Sequence, residues 1–178
     1  MVIGLCLLVP AVSGAQGLPG DVRRDPTEIL KKYLSLDSKG ARLDATSYET
    51  LRPYISWTDE PIWGHVIVIT DYEVIDDVKQ WQVVGLMEVV IPVEFKVLGA
   101  MYYESAGFVP DPQVERVGFR VKVVKGLWRI VEPMLPPHVT HGRIVNYVRQ
   151  ALLDERDQAR AAKLAELRDE LKRAKPGK

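Results

Sequence analysis

The stretch VERVGFRVKVVKGLWRIVEP (residues 114–133) decides the fold. Val117, Phe119, Val121 and Val123 share one face and Arg116, Arg120 and Lys122 the other, the period-two pattern of a half-buried strand. Lys125-Gly126 predicts a tight turn. Beyond it Trp128 and Ile130 share a parity, with Arg129 and Val131 opposite, and Pro133, which has no N–H to donate, ends the ladder. The reading is an antiparallel hairpin with one apolar face, which the rest of the chain must cover.

Upstream, residues 105–112 (SAGFVPDP) read as a loop. Residues 81–104 are mostly β-branched and interrupted by Gly85, Pro92 and Gly99, so they read as one strongly bent strand or two consecutive ones, with glycines marking bulges. Residues 65–76 form a further strand that starts apolar on both faces and then alternates. Between that strand and the N-terminal helices, residues 55–65 (ISWTDEPIWGH) carry Trp57 and Trp63 in an irregular segment. They read as an aromatic rim plugging the end of the core.

The first helix has a sharp start. Asp25 caps, Pro26 fits the first helical position, and Glu28 completes a capping-box spacing. Ile29, Leu30, Tyr33 and Leu34 make one apolar face, and Asp37-Ser38-Lys39-Gly40 breaks the helix. A second helical piece is expected over residues 45–54, capped by Thr46 or Ser47. After Pro136-Pro137 the spacing of Ile144, Val145, Val148, Ala151 and Leu152 predicts a helix on the sheet. Residues 154–178 turn charged and Ala-rich, with Leu164, Leu167 and Leu171 as a thin stripe, and read as a solvated helical extension.

A chain of 178 residues with this composition suffices for one domain with a sizeable core plus an extension, α+β in class. Lys plus Arg and Asp plus Glu number 24 each, which removes the main electrostatic argument for a nucleic-acid or anionic-membrane partner. Residues 1–15 join an apolar run, too short for a stable membrane span, to Ser13-Gly14-Ala15, small residues of the kind a signal peptidase reads. The expectation is a periplasmic or secreted protein with a flexible lead-in over residues 16–24. Cys6, the sole cysteine, lies in the run, so cleavage after Ala15 leaves no thiol for a disulfide, a zinc site or a nucleophile.

The order helix, short helix, aromatic rim, long strands and glycine-turned hairpin resembles the nuclear transport factor 2-like superfamily, which includes ketosteroid isomerase and the polyketide cyclases. The specific echoes are Phe119-x-Val121-x-Val123 with KGLWRIVEP, and ILKKYLSLDSKGARL near the start, and they cover most of residues 25–136. The resemblance implies a strongly curved antiparallel sheet wrapped around the N-terminal helices as a cone over residues 25–153, followed by a long C-terminal helix. It also implies an apolar cavity at one end and frequent dimerisation through the outer sheet face. Function does not follow from such a fold.

Isomerases of that superfamily use a carboxylate base with a tyrosine and a protonated acid inside the cone. His65 and Asp71 are the candidates here for a catalytic role, but no inward acid is placed opposite an inward tyrosine. Asp71, Glu73, Glu88 and Glu94 against Arg116, Arg120, Lys122 and Arg129 read instead as an outer face of cross-strand ion pairs. His138 and His141 lack a nearby third ligand and read as a helix-entry turn, so neither metal nor cofactor is expected. Phosphate-loop glycines, GxSxG, HExxH and a Cys-His pair do not occur. The function expected is a non-catalytic binding module for a small apolar ligand or a protein partner, with Tyr33, Trp57, Trp63, Tyr103 and Trp128 lining the pocket. An isomerase or dehydratase, or a structural envelope protein, is the alternative.

Overall fold

In the computed structural model, residues 25–174 are described. The elements run α1 (Pro26–Ser38), α2 (Ala45–Tyr48), β1 (His65–Val74), β2 (Gln82–Gly85), β3 (Glu88–Tyr102), β4 (Gly107–Val124), β5 (Leu127–Glu132), β6 (His138–Thr140), α3 (His141–Asp154) and α4 (Gln158–Arg173). The expected hairpin is β4–β5. Val124 pairs with Leu127, and the two turn residues take positive φ, 52° at Lys125 and 81° at Gly126. That pair of left-handed residues matches the twist of the flanking strands, which is why a glycine is needed there.

The strands form one strongly curled sheet in the order β5-β4-β3-β1-β6, with β2 pairing β3 beside it. It is antiparallel except at β6, which runs parallel to β1 through Ile67↔His138 and Ile69↔Thr140. The α+β curled sheet agrees with the cone expected; the parallel β6 was missed, since three residues between prolines and a helix carry no readable alternation. Register shifts fall at Val83/Gly85 and Val97/Gly99, where the glycines predicted bulges. At Gly99 a Cβ would overlap the Val109 carbonyl oxygen, so the close approach of β4 requires glycine.

Two expectations need correction. Residues 107–112 are strand, not loop: β4 has only β3 beside it along this part, so Pro110 and Pro112 can turn their missing donors to the free edge. The second helix is α2 alone, four residues long, and its cap is Asp44, whose carboxylate accepts the Ser47 N–H at 2.8 Å. α1 keeps its expected cap, with Asp25 accepting from Thr27 N–H at 2.9 Å, but it runs on through Asp37 and Ser38.

Neighbouring strand residues point to opposite faces, and both faces are covered. Ile69, Ile91, Val93, Phe95, Phe119, Val121 and Ile130 pack on one side with Leu30, Tyr33 and Leu34 of α1. Val66, Val68, Met101, Phe108 and Val139 pack on the other with Ile144 and Val148 of α3. That second cluster also takes Leu164, Leu167 and Leu171 of α4, which are 9%, 3% and 0% exposed. The charged stretch is therefore not a solvated extension. Its narrow leucine stripe is covered by the chain's own sheet, and the His141 ring holds the end of α4 by donating from Nε2 to the Leu171 carbonyl at 2.7 Å.

Candidate functional site

The densest polar cluster lies where α1 ends. Arg42 uses all five of its N–H donors: Nε and Nη2 clamp the two Asp37 oxygens at 2.8 and 2.9 Å, Nη1 reaches Glu60 at 3.1 Å and the Leu135 carbonyl at 2.8 Å, and Nη2 also reaches the Pro136 carbonyl at 3.1 Å. Asp37 Oδ2 accepts the His138 N–H at 3.0 Å as well. The Arg42 and Asp37 side chains are 3% and 2% exposed. Burial, which acts to lower the guanidinium pKa, is outweighed by Asp37, Tyr33 and Glu60, so the pKa stands above its ordinary value. Trp57 donates to Glu60 at 3.3 Å, and the Tyr33 ring lies 5.9 Å beneath the guanidinium carbon. Burial, reinforced by Asp37, raises the Tyr33 hydroxyl pKa and keeps it neutral. The cluster ties α1, the aromatic rim, residues 135–136 and β6 together. It spends its charges on each other, leaving no free base or acid among them.

His138 stacks on Phe95 at a centroid distance of 4.3 Å. Its Nδ1 lies 2.8 Å from the Pro136 carbonyl, which can only accept, so Nδ1 carries the proton and Nε2 is left without a partner among the described residues. Burial lowers its pKa, with Asp37 opposing. The folded protein therefore resists protonation that the unfolded chain accepts. Stability contributed by this neutral ring is fully present above the unfolded pKa near 6.5 and is lost as pH falls towards the depressed folded value, at up to about 1.4 kcal/mol per pH unit. In urea titrations at pH 7.5 and pH 5, His138→Gln is expected to lose less stability on acidification than the wild type. An equal loss would remove this assignment. His141 points away to α4, so the two histidines do not share a ligand site, and no metal-ligating group of three is found among the described residues.

The outer sheet face carries much of the expected ladder, Arg116–Glu94 at 3.5 Å, Lys122–Glu88 at 3.3 Å and Arg120 joined to both Glu88 and Glu132, but Asp71 pairs with Lys96 at 3.2 Å and Arg129 stands outside it, donating to the Arg52 carbonyl at 2.9 Å. Asp71, a catalytic candidate from sequence, is 63% exposed in that ladder. Parity puts it outside the cone, so it cannot act as a buried base. His65, the other, is half-buried on the Tyr102 ring at 5.3 Å.

The five pocket aromatics do not converge. Tyr33 meets Trp57 edge-on at 6.4 Å and Phe119 at 6.4 Å, and Phe119 meets Phe95, so these rings fill the cone where a cavity was expected. Trp128, 8% exposed, lines a shallow groove of about 230 Å³ with Ile29 and Tyr54. Trp63 is half-buried at the rim. Tyr103 lies past the Gly99 bulge, which shifts the register of β3, and belongs to the cluster under α3 and α4.

That side holds an apolar cleft of about 210 Å³. Met101, Tyr103 and Ala106 supply the sheet wall, Tyr147, Val148 and Ala151 the α3 wall, and Leu164 and Leu167 the α4 wall. Glu155 and Arg160, paired at 3.2 Å, stand at its edge. Burial pushes the Tyr103 hydroxyl up to about 12, with Tyr147 adding to it, so it is a neutral donor at physiological pH. Neither phenol is hydrogen-bonded to another described residue. Tyr147 was missed from sequence, where its spacing from Ala151, one helical turn, signals only a shared helix face; the α4 wall was hidden by reading α4 as solvated. Against this geometry, no family model, curated protein or solved structure matches the chain.

Proposed function

We propose that the protein is an exported, non-catalytic binding module, and that it holds a small, mostly apolar molecule with a hydrogen-bond acceptor in the cleft between Tyr103 and helices α3 and α4. The observation that carries this reading is a pair of phenols, Tyr103 and Tyr147, bonded to no other described residue, on the walls of a cleft that is apolar apart from the Glu155–Arg160 pair. Both hydroxyls keep access to water, so a ligand carbonyl or carboxylate that replaces that water gains the net value of a hydrogen bond, about 0.5–1.5 kcal/mol each. The volume lies below the roughly 300–1,000 Å³ of drug-sized sites, so a single ring or short acyl chain is the fitting size. Export is supported by the apolar run ending in Ser13-Gly14-Ala15, which lies outside the described residues.

The test is saturation-transfer NMR with acetophenone, which has one ring and one carbonyl. Wild type is expected to give a transfer signal. Ala151→Phe, which fills the cleft, should weaken binding at least about tenfold, while Tyr147→Phe, which removes one donor, should weaken it about fivefold. The proposal fails if Ala151→Phe, with native circular dichroism, gives the wild-type signal, or if wild type gives none.

A further inference from the structure

Residues 80–87 (QWQVVGLM) are eight consecutive uncharged positions in a chain that is 27% charged. β2 occupies their middle. It pairs with β3 alone, through Gln82↔Val90, Val83↔Val89 and Gly85↔Glu88, on the same flank of β3 that β1 takes further along. The opposite edge of β2 has no strand beside it among the described residues. All four of its residues are exposed. Val83 is 69%, Val84 46% and the adjoining Leu86 102% exposed, while Val78 on the preceding turn is 62% exposed.

Open edges are usually blunted by lysine, proline, an inward charge or a bulge. Here only the last is present, and the shift between Val83 and Gly85 leaves Gln82 and Val83 regularly paired. The partner chemistry this edge specifies is an extended, uncharged, apolar strand, because backbone N–H and C=O groups alternate with valine side chains.

We infer that β2 is a self-association edge, where two copies of the chain pair β2 with β2 antiparallel across a two-fold axis. The operation brings the same uncharged run against itself, so valines meet valines and no charge is desolvated unpaired. A charged peptide would lose that match. The formal net charge of zero leaves no long-range repulsion between copies. A four-residue strand with Leu86 covers less than the roughly 1,200 Å² of a stable interface, so the dimer is weak, with a dissociation constant above about 1 μM.

Sedimentation equilibrium of the full chain from about 10 μM to about 1 mM spans the range such a small interface implies. Wild type is expected to shift from monomer to dimer across it. The double variant Val83→Lys with Leu86→Lys should raise the dissociation constant at least about tenfold, since each copy then sets two unpaired positive charges along the pairing edge. Val109→Lys, at a 55% exposed site on β4, should leave it unchanged. A wild type that stays monomeric to the highest concentration overturns the inference. So does a dimer that survives the double lysine variant, which would place the contact on another surface, such as the ion-pair ladder. Neither result bears on acetophenone binding in the cleft, so the two proposals fail separately.

Discussion

Arg42→Met is expected to destabilise the protein by about 3–5 kcal/mol, the range seen when one partner of a buried ion pair is removed. The size follows from what stays behind. Asp37, 2% exposed, would keep only the His138 N–H in place of the two-pronged guanidinium contact, the Leu135 carbonyl would lose its Arg42 donor, and the Pro136 carbonyl would keep only the His138 ring N–H. Exposed pairs differ in kind: breaking Lys96–Asp71, with both side chains above 60% exposed, should change stability by about 1 kcal/mol or less. The measurement is urea unfolding with unchanged slope, and a companion variant separates pairing from packing. Asp37→Asn added to Arg42→Met removes the stranded charge, so the double variant should be more stable than Arg42→Met alone. A loss for Arg42→Met under 1 kcal/mol, or a double variant no better than the single, would show that the pair does not anchor the fold.

That cluster also marks the limit of what the residue pattern discloses. Alternation in Val117, Phe119, Val121 and Val123 fixes which face of β4 is inward, because strand geometry is local and period two is visible over a few residues. The Lys125-Gly126 turn and the Gly85 and Gly99 irregularities are legible for the same local reason. Asp37 and Arg42 are five residues apart in a segment that reads as a helix break, and what buries them is residues 135–138, about a hundred positions away. No local period encodes that. Asp71 was legible as polar-face and ion-paired, yet the same residue was entertained as a base, and only the β1–β3 register, which sets Asp71 against Lys96, separates the two readings. The pocket aromatics scattered because being aromatic and near the rim carries no information about which side of a curled sheet a ring takes. Tyr103 changed sides through one bulge.

Leu171→Ala decides whether α4 belongs to the fold, and about 2–5 kcal/mol is the expected loss. Leu171 is 0% exposed and packs in the cluster that includes Val66, Val68, Ile144 and Val148. Had α4 been a solvated extension, the same truncation would fall within about 0.5 kcal/mol of zero. Leu153→Ala supplies that reference in the same protein, since Leu153 is 75% exposed near the end of α3 and should cost about 0.5 kcal/mol or less. The His141 bond goes to the Leu171 backbone carbonyl, so it survives the substitution and the loss reports packing alone. The cleft depends on the same docking, because Leu164 and Leu167 form its outer wall. Loosening α4 should therefore weaken acetophenone binding in step with stability, whereas Ala151→Phe should weaken it at least about tenfold with α4 still seated. If Leu171→Ala unfolds no more readily than Leu153→Ala, the second core and the cleft it encloses fall together.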